Sequence, residues 1–236
     1  PTQPLVVIQC PPPHTLPPPG PPHPPPGGLG PRWAPRAALG ELFGFAAPAL
    51  AGALVRDAAP ATAALALLAA GALEGTVLGW FQARVLHTVI PGLRRADWIL
   101  VTALGALLAW TIGVIPVVAG EGLGSWPPAV VIPAATIGGV VILLSIGGAQ
   151  WLVLRRHIHR AGQWIWANAA AWLVALLVFT AITTPLWQPG QSTALVALIG
   201  LFGGLLMALT MAAVSGAFLV RILRSNSKSN VEWPSP

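Results

Sequence analysis

Charge is what this chain has least of. Only 8% of its 236 residues are Asp, Glu, Lys or Arg, tyrosine is absent, and cysteine occurs once, as Cys10. A soluble domain carries about 25% charged residues, so the shortage excludes an ordinary water-facing fold. A single cysteine excludes an internal disulfide and any CxxC redox or zinc motif. Cys10 follows LVVIQ, and Gln9 stands where a lipoprotein cleavage site wants a small residue, so lipidation is not expected. HExxH, GxSxG and GxxxxGK[ST] are missing, as are the paired carboxylates and histidines of an intramembrane metalloprotease. No enzymatic activity, cofactor or metal site is therefore expected.

In place of charge there is apolar bulk, 55% of the chain. Crossing a bilayer core of about 30 Å takes about 20 apolar residues, and six such spans can be drawn, at roughly 37–55, 61–83, 98–119, 129–154, 164–184 and 193–220. They are apolar nearly all round, whereas helices of a soluble bundle need a polar outer face. The cations segregate to alternate loops. Arg32 and Arg36 precede span one, Arg84, Arg94 and Arg95 follow span two, Arg155, Arg156 and Arg160 follow span four, and Arg221, Arg224 and Lys228 follow span six. Only Arg56, beside Asp57, lies in the opposite set. Basic loops stay inside, so both termini are expected in the cytoplasm, in a bacterial inner membrane. The net charge of +6 then reads as a topology signal and as attraction to anionic lipid headgroups, with no nucleic-acid partner expected. Trp98, Trp151 and Trp164 near the basic loops, and Trp126 and Trp187 in the opposite ones, are expected at the membrane interface.

The chain also repeats. AQWLVLRR from Ala149 lies 68 residues after FQARVLHT, pairing Gln82 with Gln150, and Trp98 lies 66 residues before Trp164 and 65 after Trp33. Internal repetition of this kind fixes architecture before any residue-level reading. The fold class is all-α integral membrane: six transmembrane helices as three tandem two-helix hairpins, at about 36–86, 97–156 and 164–223. Each hairpin has an even number of spans, so all three enter the membrane alike and a quasi-threefold arrangement is allowed. Residues 1–35, with 15 prolines, form an extended cytoplasmic tail ahead of a 36–223 domain, and 224–236 form a second tail. The stretch 11–26 fits a polyproline-binding partner as well as a plain tether. The first residue is Pro1, as expected of a processed or truncated product.

Packing has a visible basis in Gly71, Gly75 and Gly79, a small-residue stripe on span two, continued by Gly139 and Gly147 in span four and Gly204 in span six. Such stripes let helices approach closely in lipid and also fit a second copy or another membrane protein as partner. Gln82 and Gln150 lie near the same stripe and are read as amides bonded across helices, with a solute ligand as the alternative.

Two carboxylates lie within spans, at a cost of roughly 2.5–3.5 kcal/mol each on insertion scales. Glu74 falls near the midplane and Glu41 shallower. The aligned positions in the other hairpins are apolar: Ala106 and Trp172 for Glu41, Ile142 and Met207 for Glu74. Because only one hairpin carries them, Glu74 is the leading candidate for a proton or cation site, against a structural role bonded to a neighbouring helix. His87, His157 and His159 read as cationic loop residues, since the flanking arginines repel a divalent ion.

The blocks GGAQWLVLRR at 147–156 and RAGQWIWANAAAWLVALL at 160–177 resemble a widespread group of uncharacterised bacterial, cyanobacterial-type multi-spanning membrane proteins that repeat a Gln-Trp-x-x-Leu-Arg hairpin. The resemblance spans about 71–184, departs from the pattern at Ala83, and implies an inner membrane but no site residue. Two readings of function result. The first is a non-enzymatic structural or interaction module of the inner membrane, which the sequence favours; the alternative is a small-solute or ion transporter or channel with Glu74, Glu41, Gln82 and Gln150 along its path.

Overall fold

A computed structural model describes residues 29–55 and 57–231. Cys10, the 11–26 stretch, Arg56 and the last five residues lie outside the described residues. Helices run over Leu29–Leu54 (α1), Pro60–Val89 (α2), Arg95–Gly113 (α3), Ile115–Ala119 (α4), Pro128–Leu154 (α5), Gln163–Leu186 (α6) and Thr193–Val231 (α7). Among the described residues there is no strand. Six segments are long and apolar enough to cross a membrane, with α3 and α4 together forming the third. Proline opens α2, α4 and α5 at the first or second position, where its missing N–H has no partner to lose. Pro116 also marks why span three is broken after Gly113: the helix ladder cannot pass through it unaltered.

Two expected boundaries move. α1 begins at Leu29, so residues 29–35, expected in the proline-rich tail, are helical. The reason is local. Pro31 falls in the first helical turn, which tolerates it, and Trp33 behind it is fully buried. At the other end α7 continues to Val231, past the boundary expected at 224.

Each span packs on the next in sequence, and α7 returns to pack on α1, closing a ring of six helices. The outer face of the ring is apolar, and polar side chains sit among its mostly apolar buried residues. Glu41, Glu74, Gln82, Thr102, Gln150, Asn168 and Ser215 are buried, while Leu50, Leu54, Leu100, Ile137, Leu177 and Leu198 are exposed. Water would favour the reverse, and lipid is the solvent in which this arrangement is stable. The chain is an integral membrane protein. One core cluster, with Trp33, Trp98, Trp164, Leu86, Ile90, Ile158 and Ile222, fills the end of the ring that carries the basic loops. A second, around Leu78, Ala171, Met207 and Met211, lies deeper.

Candidate functional site

Two layers of polar side chains lie inside the ring. The layer at the basic end is built on the three tryptophans related by the 65- and 66-residue offsets. The Trp164 ring meets Trp33 edge-on at 5.9 Å and Trp98 at 6.4 Å between centroids. Each indole N–H then crosses to a neighbouring helix: Trp98 donates to Gln82 Oε1 (3.1 Å), Trp164 to Gln150 Oε1 (2.8 Å) and Trp33 to Ser215 Oγ (3.1 Å). Gln150 Nε2 donates onward to Gln82 Oε1 at 2.9 Å and to Thr102 Oγ1 at 3.0 Å.

Trp98 and Trp164 are thus not interfacial anchors, as the basic loops beside them implied, but the centre of the core. A buried indole needs an acceptor, and the repeat supplies one from the adjacent helix each time. Trp151 stays near the surface with Arg155 over its ring at 4.9 Å, and Trp126 and Trp187 are exposed. Ser215, Thr102 and Asn168 were missed in the sequence. The signal was present, since Ser215 lies 65 residues after Gln150, and Thr102 and Asn168 each lie four after their tryptophan.

The second layer holds the carboxylates. Glu74 on α2 accepts from Trp110 Nε1 at 2.7 Å and lines a cavity of about 230 Å³ walled by Phe45, Leu143, Trp110, Trp172 and Met207. Glu41 lies on α1. It is fully buried and close enough to Glu74 for their charges to interact. The pairing follows from α1 lying tight on α2, where Gly40 faces Phe81 and Leu78 and Gly44 faces Glu74 itself. Neither oxygen of Glu41 has a hydrogen-bond partner among the described residues, and neither carboxylate meets a cation there. The Trp172 N–H, at the position aligned with Glu41, is buried without a partner as well. Burial of an unpaired polar group costs about 1–3 kcal/mol, more when charged, and Asn168 Oδ1 in the first layer is unpartnered too. Pro48 sits one helical turn beyond Gly44 in α1.

The glycine stripe divides. A methyl group on Gly75 would stand 2.5 Å from Ala106 Cβ and 2.9 Å from Ala103 Cα, on Gly79 3.1 Å from Ile99 Cα, and on Gly147 2.9 Å from Asn168 Cβ; on Gly71 it would enter the Trp110 ring. These four hold helices together inside the chain. Gly139 has no atom within 4 Å and Gly204 makes only ordinary contact with Phe45, so the stripe does not continue through them. Gly105, not nominated from the sequence, does hold helices together, facing Ile146 Cα at 2.8 Å.

At the basic end His87 Nδ1 lies 3.0 Å from Ala83 O and its Nε2 meets Arg95, and Gly92 approaches His157. Among the described residues no three His, Cys, Asp or Glu side chains gather as a metal site would require. Comparison of the chain with protein-family models, with curated proteins and with solved structures finds no match.

Proposed function

We propose that this integral membrane protein binds a small cationic solute or ion at the Glu41–Glu74 pair and serves its passage across a bacterial inner membrane, with both termini cytoplasmic and without catalysing a chemical conversion. The observation that carries this is Glu41: a fully buried carboxyl with two unpartnered oxygens, on the helix that packs against Glu74, which lines a half-open cavity that Glu41 itself does not reach. Intramembrane acids kept without a counter-charge mark ion or substrate paths more often than packing sites. The cavity is smaller than the about 300–1,000 Å³ of drug-sized pockets, and Glu74 is the charged group on its otherwise apolar wall. The basic loops support the orientation.

Water must reach the site for this to hold. In a Cys10→Ser background, Glu74→Cys is expected to react with a water-soluble thiol reagent in membranes, with Gln188→Cys as exposed control. If only the control reacts, the site is dry and the reading fails. A second expectation concerns stability. Glu41→Leu removes the two orphaned oxygens and should raise stability by about 1–3 kcal/mol while abolishing cation binding, the trade-off usual at functional sites. Thermal unfolding in detergent measures it, and a loss of stability would mean that the carboxyl is a structural partner.

Gln82 and Gln150 do not separate this reading from the alternative, a packing module. Their bonds run between helices, so they belong to the scaffold of either protein and leave the solute path to the carboxylates.

A further inference from the structure

A stripe on the outer face of the first hairpin has the form of a lipid site. Arg32, Arg36, Leu39 and Phe43 follow one another along α1 at spacings of four, three and four, which keeps them on one face of the helix. Thr88, Arg84 and Trp80 run the opposite way along α2 at spacings of four. All seven are exposed. At the basic end Arg32, Arg36, Arg84 and Thr88 line a cleft of about 240 Å³. Arg84 lies over the Trp80 ring at 4.6 Å, and Arg36 Nη1 donates to Arg32 O at 3.2 Å, so two of the three guanidiniums are held by their own surroundings. None of the three meets a carboxylate among the described residues, where the ion pair at this end joins Arg94 to Asp97.

Three guanidiniums in one cleft repel each other unless an anion lies between them, and arginine matches the oxygens of a phosphate. The topology rule counts cations per loop and does not place three of them in one cleft, an arrangement the hairpins do not share. The positions aligned with Arg32 are Asp97 and Gln163, with Arg36 Val101 and Ala167, and with Arg84 Leu152 and Ala217. Below the cleft the stripe turns apolar, with Leu39, Phe43 and Trp80 exposed and Phe43 and Trp80 each in ring contact with Phe81. A soluble phosphate would use only the cleft, whereas a phospholipid uses both parts. We infer that the groove between α1 and α2 binds one anionic phospholipid, its phosphate held by Arg32, Arg36 and Arg84 and an acyl chain lying on Leu39, Phe43 and Trp80. This site is separate from the carboxylate cavity and does not depend on the transport reading.

Native mass spectrometry of the full chain in detergent tests it, with phosphatidylglycerol and phosphatidylcholine as probes and glycerol 3-phosphate as soluble competitor. One phosphatidylglycerol should remain bound in preference to phosphatidylcholine. The Arg32→Gln/Arg36→Gln/Arg84→Gln variant should lose on the order of 100-fold in affinity, at about fivefold per guanidinium. The distant triple Arg155→Gln/Arg156→Gln/Arg160→Gln should retain the lipid. Arg84→Gln alone should lose about fivefold, which keeps the test decisive if the triple variant does not fold. Equal losses in the two triples would reduce the effect to general basicity and overturn the site. Displacement of the lipid by millimolar glycerol 3-phosphate would assign the cleft to a soluble anion and overturn the lipid. No preference between the two phospholipids would do the same.

Discussion

Trp164→Ala is expected to destabilise the bundle by about 3–5 kcal/mol, while Trp166→Ala, two residues along the same helix, should change it by no more than about 0.5 kcal/mol. The difference is one of placement. Trp164 is 1% exposed and Trp166 69% exposed. Trp164 touches both other tryptophans of the central cluster and donates to Gln150. Its removal leaves a void where three hairpins meet and takes from Gln150 Oε1 the donor it has. Trp166 loses only contact with lipid tails, which other tails replace. Denaturant or thermal unfolding in detergent separates the two variants, and equal effects would mean that the tryptophan cluster does not hold the ring closed. Trp33 belongs to the same test, since its bond to Ser215 ties the first span to the last.

The next largest effect is expected at Gly75. Gly75→Val should cost about 3 kcal/mol or more, at the upper end of overpacking, because the new side chain meets the backbone of α3 at Ala103 Cα and Thr102 O, 2.9 Å away. Backbone cannot rotate aside as a side-chain tip can, so α2 and α3 must separate. Gly139→Val should be nearly silent, within about 0.5 kcal/mol, since no atom lies within 4 Å. Both glycines share one register in the sequence. Equal tolerance at the two positions in an unfolding assay would refute the close α2–α3 contact. Gly75 also borders the carboxylate cavity, so on the transport reading separation of these helices should weaken cation binding along with stability.

Much of this was legible before any coordinates. The six spans follow from composition and length, because a bilayer demands long apolar helices whatever their partners. The offsets of 65 to 68 residues identified the tryptophans and glutamines that correspond, and the same offsets lead to Ser215. The sequence did not show that both Glu41 and Glu74 are buried, since an apolar span does not say which of its faces turns inward.

What the sequence determined by itself is the solvent and the inventory: a membrane chain of six helices, carboxylates within the spans confined to one hairpin, and cations, Arg56 apart, gathered in alternate loops. Which face of each helix turns inward was left to the tertiary structure. In water that choice is written as an apolar stripe on a polar helix, but in lipid both faces are apolar and packing of small residues and buried hydrogen bonds decides. Hence Trp164 and Trp166, or Gly75 and Gly139, look alike in the chain and differ in the fold. Only closure of the ring brings Trp33 to Ser215, and only the tight crossing of α1 on α2 puts Glu41 beside Glu74.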